Sequence, residues 1–193
     1  KTRNREKSVI KISFWFLLQM YENALYDKLL KDHKKLGSKN KDHFLYVMKC
    51  HHQIDIHLSI DQVLQLINDP NYYHRWQRGL ISTDLIKGKN GQKGAKRRIY
   101  IKIAGQKVKM IETILDYQPP EKWQARYTTN GMKSIQTNIF KAKSENITQW
   151  DCYSEFNFSG GMVLISKLMP QLFKERARLT QTDFKSFAEN FYG

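Results

Sequence analysis

Cysteine is scarce: Cys50 and Cys152 are the only two in 193 residues. Two thiols make no disulfide framework and fit a reducing compartment, so a cytoplasmic location is expected, with a single bridge left open. The chain holds no CxxC pair, no HExxH, no glycine-rich phosphate loop and no GxSxG elbow. Structural zinc, zincin, P-loop and α/β-hydrolase chemistries therefore lack their residues. No zinc-finger, RNP or helix-turn-helix pattern is present, so no nucleic-acid partner is expected. Long apolar runs are missing too. The densest, Phe14–Leu18, falls far short of the ~20 residues a helical membrane span needs, and no small-residue cleavage site follows it as a signal peptide would require.

Acid is scarce relative to base, with 18 Asp+Glu against 33 Lys+Arg and a net charge of +15. Such a balance suits a solvated Lys-rich surface or peripheral contact with an anionic membrane. The basic residues are scattered, apart from the group Lys93, Lys96, Arg97 and Arg98.

Residues 1–47 read as an N-terminal extension, weakly structured and mostly charge after Lys28. The chain opens at Lys1 rather than Met, and Met48 is read as a start from which the ordered part begins. Residues 48–193 read as one ligand-binding domain, and a domain of about 150 residues buries enough surface to need no disulfide staple.

From His51 the pattern is orderly. His51–Leu58 alternates as a strand, with Ile54, Ile56 and Leu58 on one face. Ser59 can cap a helix over Ile60–Asn68, and a second short helix covers Tyr72–Trp76. Six strands follow: Leu80–Lys87, Lys96–Ala104, Lys107–Tyr117, Trp123–Thr129, Met132–Lys143 and Ile147–Phe158. Hairpin signals fall at Gly88–Gly91 and at Asn130-Gly131, with Gly94 read as a bulge. Gly160–Phe191 then carries a long amphipathic stripe: Ile165, Leu168, Met169, Leu172 and Phe173, resumed by Phe184, Phe187, Ala188 and Phe191. Pro170 should kink or split that helix. A sheet with one apolar face must be covered, and a helix of about 30 residues, ~45 Å long, can cross it.

The order of elements resembles the SRPBCC superfamily (START/Bet v 1-like, helix-grip), in particular its polyketide cyclase/dehydrase and lipid transport type. The resemblance covers about 48–191. It rests on Ile56–Leu58 followed by Ser59–Val63, on Leu66–Asp69 with Tyr72 and Trp76, on Gly91 and Gly94, on Asp116–Pro120, and on Leu168–Leu172. It implies an α+β fold: a seven-stranded antiparallel sheet wrapped around a long C-terminal helix, with two short helices after the first strand. It also implies a hydrophobic cavity between sheet and helix that holds a lipid, sterol, hormone or polyketide. The superfamily has no universal catalytic residues, so no active site carries over.

Apolar residues that alternation puts on inner faces, with a few polar ones among them, are what a small-molecule cavity requires. The expected cavity residues are Trp76, Ile99, Met110, Glu112, Trp123, Tyr127, Met132, Trp150, Phe156, Ile165, Met169, Leu172 and Phe173. The same side chains could equally fill a core. On the helix the contacts are expected within Met162–Phe173. Glu112 is an acid/base or anchor candidate if Met110 and Ile114 face inward; the solvated alternative is favoured. Arg176 lies near the apolar stripe and reads as a snorkelling surface arginine rather than a ligand anchor. In the last strand Trp150, Cys152, Ser154 and Phe156 are expected inside. His51, Asp55 and His57 share a strand face without a fourth ligand, so no metal is expected, and no cofactor either. The expected function is binding or transport of a hydrophobic small molecule or lipid, more in keeping with a non-enzymatic binder. The alternative is a polyketide cyclase/dehydrase-like enzyme.

Overall fold

The computed structural model describes residues 46–103 and 105–193; the readings of residues 1–45 lie outside them. Strand β1 (Tyr46–Ile56) is followed by helix α1 (Ile60–Asn68), a 3-10 turn (Pro70–Tyr72) and the short helix α2 (Tyr73–Trp76). Six strands come next: β2 (Leu80–Lys87), β3 (Lys96–Ile103), β4 (Gln106–Gln118), β5 (Lys122–Thr129), β6 (Met132–Ser144) and β7 (Ile147–Phe158). Helices α3 (Gly161–Leu168) and α4 (Pro170–Tyr192) close the chain.

All seven strands form one sheet in the order β1-β7-β6-β5-β4-β3-β2, with antiparallel neighbours throughout. β2 to β7 run as a meander because each connection is too short for a crossover. β1 joins the far edge beside β7, so the chain must pass from one edge of the sheet to the other before β2. α1 and α2 make that passage. Ser59 and Gln62 cap α1 reciprocally, Gln62 N–H donating to Ser59 Oγ at 3.4 Å and Ser59 N–H to Gln62 Oε1 at 3.0 Å. α1 buries Val63, Leu66 and Ile67.

The turns follow their residues. Asn130-Gly131 joins β5 to β6 in two residues, with Gly131 at φ 71°. The connection after Lys87 runs to Lys96, as the strand limits read from the sequence imply. Residues 88–95 form a loop in which Gly88, Gly91 and Gly94 all take positive φ.

Pro170 splits the C-terminal helix. Met169 leaves helical geometry at φ −131°, ψ 54°, and Pro170 starts α4, where its missing N–H costs nothing. α4 is anchored by its second half. Phe184 and Ala188 are fully buried in a core shared with Ile56, Leu66, Trp76, Phe140 and Trp150. Phe184 meets Trp76 and Trp150 edge-on, with centroids 5.1 and 5.6 Å away. Buried Gln181 donates from Nε2 to the carbonyls of Trp150 (3.1 Å) and His52 (3.4 Å), pinning the helix to β7 and β1. Arg78 grips Asp183 in a fork, Nε to Oδ2 at 3.0 Å and Nη2 to Oδ1 at 2.8 Å. Cys50 and Cys152 are both free thiols. Among the described residues no helix is long and apolar enough to cross a membrane.

Candidate functional site

Between the covered face of the sheet and α4 lies a cavity of about 250 Å³. Eleven of the thirteen side chains expected there line it: Trp76, Ile99, Met110, Glu112, Trp123, Tyr127, Met132, Trp150, Phe156, Leu172 and Phe173. Ile165 and Met169 are outside the lining. The split at Pro170 explains this. α3 ends before the cavity, and the helical wall is built by Leu172, Phe173, Arg176, Ala177 and Thr180 of α4. The helical contribution thus sits further along than Met162–Phe173, on the stretch between the break and the Phe184 anchor.

The strands supply the rest through alternation. Ile99, Ile101 and Ile103 of β3 face the cavity, as do Met110 and Glu112 of β4. The expectation that Glu112 is solvated is overturned: only 7% of it is exposed. Glu112 follows Met110 and precedes Ile114 on the same face, and Ile114 is buried as well, so the register turns the carboxyl inward.

Glu112 is not alone. Tyr127, opposite it on β5, donates its hydroxyl to Glu112 Oε1 at 2.9 Å. Arg97, opposite on β3, brings Nε to 3.9 Å from Glu112 Oε2. Arg97 also lies over the Tyr73 ring at 4.7 Å and donates from Nη2 to Asn90 Oδ1 at 2.7 Å. Burial pushes the Glu112 carboxyl above its usual range, while Arg97 and the Tyr127 hydrogen bond pull it back in part. Burial, reinforced by the Glu112 charge, holds the Tyr127 phenol well above its ordinary value. Burial works against the Arg97 charge, but Tyr73, Glu112 and Tyr127 more than offset it, so Arg97 stays a cation. A smaller cavity of about 160 Å³ shares Arg97, Glu112 and Trp123 with the main one, so this cluster stands between the two spaces.

A polar row on β6 had no counterpart in the sequence reading. Ser134, Gln136 and Asn138 line the cavity in line with Met132. Apolarity would have chosen the opposite row, which holds Ile135 and Ile139. Two members of the row find partners on β7: Trp150 Nε1 donates to Asn138 Oδ1 at 2.9 Å, and Gln136 Nε2 to Cys152 Sγ at 2.9 Å. Trp150, Cys152, Ser154 and Phe156 all take the inward side of β7, three of them buried and Phe156 in part. Ser154 and Phe156 line the cavity beside Trp150.

Arg176 is also corrected. It is partly buried and lines the cavity rather than snorkelling away from it. Its Nη2 donates to the Arg78 carbonyl at 2.5 Å. The strand histidines are dispersed among separate partners: His51 Nε2 pairs with Asp151 Oδ1 (2.9 Å), His57 Nδ1 with Glu189 Oε1 (2.9 Å), and Asp55 with Lys143 (2.7 Å). Among the described residues no group of three or more potential metal ligands converges.

The site therefore couples an apolar wall to a carboxyl with a phenol donor and two guanidinium groups. It can enclose an apolar body and hold a polar group, and Glu112 with Tyr127 can give or take a proton at the same place.

Solved structures share this architecture. The ZhuI aromatase/cyclase of Streptomyces sp. R1128 superposes with a TM-score of 0.68 at 11% identity, over 77% of this chain and 97% of its own. A START superfamily protein of Mycobacterium smegmatis gives 0.61 at 15% identity, over 74% and 98%. A norcoclaurine synthase of Thalictrum flavum gives 0.59 at 10% identity, over 77% and 97%. At these identities the likeness is one of fold. No curated protein matches the sequence. The sequence model of the family described as polyketide cyclase/dehydrase and lipid transport matches residues 48–185. That match takes in every strand of the meander and most of α4, and the chain belongs to this family.

Proposed function

We propose that the domain binds or carries a hydrophobic small molecule or lipid in the cavity between its sheet and α4. The observation behind this reading is the cavity itself. It measures about 250 Å³, close to the lower end of ligand pockets at roughly 300 Å³. Apolar side chains (isoleucine, leucine, alanine, methionine, tryptophan and phenylalanine) make most of its wall, and polar groups gather in a few places. The test is native mass spectrometry of the protein purified from its own host, followed by titration with the neutral fluorophore N-phenyl-1-naphthylamine. A co-purified apolar ligand, and fluorophore binding weakened by Trp123→Ala and Met110→Ala, are the expected results. Unchanged fluorophore affinity in both folded variants would move the ligand elsewhere.

One observation favours an enzymatic second reading: the 2.9 Å contact between Tyr127 and the buried Glu112. A cyclase/dehydrase would use this pair to move protons on a polyketide-like substrate. Loss of water from a poly-β-keto thioester, followed by mass and abolished by Glu112→Gln, would support it; turnover equal in that variant would refute it.

For a lipid ligand, the surface next to the cavity supports contact with an anionic membrane. Leu164, Leu168 and Leu172 are exposed at 42%, 59% and 38%, and Leu172 also lines the cavity. Lys167 lies between Leu164 and Leu168 and Lys174 just beyond Leu172, and neither pairs with a carboxylate of a described residue. Flotation with anionic but not neutral liposomes, lost in Leu168→Glu, is the expected outcome. Equal flotation with both would exclude this contact. The two free thiols accord with a cytoplasmic setting.

A further inference from the structure

We infer that Arg176 is the anchor for an acidic head group, so that the cavity's ligand is an amphipathic acid, carrying a carboxylate or phosphate on an apolar body. The inference rests on the cavity reading above and narrows it.

Four observations carry it. Arg176 lines the cavity beside Leu172, Phe173 and Ala177, which puts the helical wall's one charged group among mostly apolar neighbours. It is partly buried, and burial works against its charge; Asp183 acts favourably from a distance while Arg78 repels. Among the described residues no carboxylate lies within ion-pair range of it, since the neighbouring Asp183 is taken in a fork by Arg78. Its guanidinium donates from Nη2 to a backbone carbonyl, that of Arg78, so most of its five N–H donors are unspent on that bond.

The contrast with Arg97 sharpens the argument. Arg97 has Glu112, Asn90 and the Tyr73 ring around it, so its charge is already met by the protein. Arg176 has a fixed position, a half-buried setting and, among the described residues, no acidic partner within ion-pair range. Buried charges are normally paired, and a planar guanidinium fork matches the two oxygens of a carboxylate or phosphate. The Arg78 carbonyl orients the guanidinium by accepting from Nη2.

The test is displacement of N-phenyl-1-naphthylamine, a neutral reporter, by decanoate, decyl phosphate and decan-1-ol at pH 7, on wild type, Arg176→Gln, Arg176→Lys and Arg178→Gln. The readout is the acid-to-alcohol potency ratio, which cancels differences in the apolar body. A charge-assisted hydrogen bond predicts that Arg176→Gln lowers this ratio at least about tenfold while leaving decan-1-ol unchanged. Arg176→Lys keeps the charge and should lose less. Arg178→Gln, on the exposed Glu175 pair, should lose nothing. The two acids tell a carboxylate from a phosphate: whichever falls further in Arg176→Gln is the preferred head group. Reporter binding with equal ratios in wild type and a folded Arg176→Gln would overturn the anchor and leave the cavity reading intact. No reporter binding by wild type, and no displacement, would overturn both.

Discussion

Phe184→Ala tests whether α4 is held as a cavity wall by the aromatic lock behind it. Phe184 is fully buried and touches the cavity only through its neighbours. Trp76 and Trp150, edge-on to its ring at 5.1 and 5.6 Å, both line the cavity. Truncation removes the whole ring from a packed site and leaves a void that the surrounding strands cannot collapse into. The expected cost is ~3–5 kcal/mol, the usual range for a buried phenylalanine, with the loss of the edge-to-face contacts included. For a domain of about 150 residues each kcal/mol moves the midpoint by roughly 3 °C, so thermal unfolding should drop by about 10–15 °C. Phe191→Ala is the control: its ring is 39% exposed and leans on Tyr72 and Phe187, so it should cost no more than about 1 kcal/mol. Because Trp76 and Trp150 can tilt into the void, fluorophore affinity should fall in Phe184→Ala even at temperatures where it is folded. The assay is calorimetric or circular-dichroism melting of both variants, followed by fluorophore titration. Equal midpoints for the two variants, or a Phe184→Ala midpoint within a few degrees of wild type, would refute the anchoring role.

Glu112 makes a pH prediction. Its carboxyl is raised by burial, so the native state holds that proton more tightly than the unfolded chain. The stabilising contribution is present below the ordinary carboxylate value and is lost as pH rises through the folded value. Glu112→Gln mimics the protonated form, so the difference in melting midpoint, variant minus wild type, should grow from pH 4.5 towards 7. A flat difference would refute the burial argument. Gly131→Ala should cost ~1–2 kcal/mol from its positive φ alone. It should cost more through contact, since a Cβ there would stand 2.7 Å from Met162 Cγ and 3.1 Å from the Ser159 carbonyl. A melting midpoint unchanged from wild type would show that the β5–β6 turn relaxes freely.

Much of this protein was legible in its residues, for local reasons. Ser59 with Gln62 marks the start of α1 because the cap is a contact between near neighbours. Asn130-Gly131 marks a two-residue turn because only that backbone tolerates it. Pro170 marks a break because proline acts on its own turn. Alternation placed Trp123 and Tyr127 together on one face of their strand, since side chains on a strand change sides at every step. Three features were decided only by the fold. Glu112 could have faced water, and it is buried because β3 and β5 set Arg97 and Tyr127 opposite it. The polar row Ser134, Gln136 and Asn138 faces inward against its own polarity. Residues distant in sequence, Cys152 and Trp150, meet two of its side chains there. Arg176 looks like a surface cation from its own helix, and it lines the cavity because Phe184 and Gln181 fix the rotation of α4. Local chemistry specifies elements and their ends, whereas the partner of a polar side chain is a long-range contact that exists only once the sheet has closed against the helix.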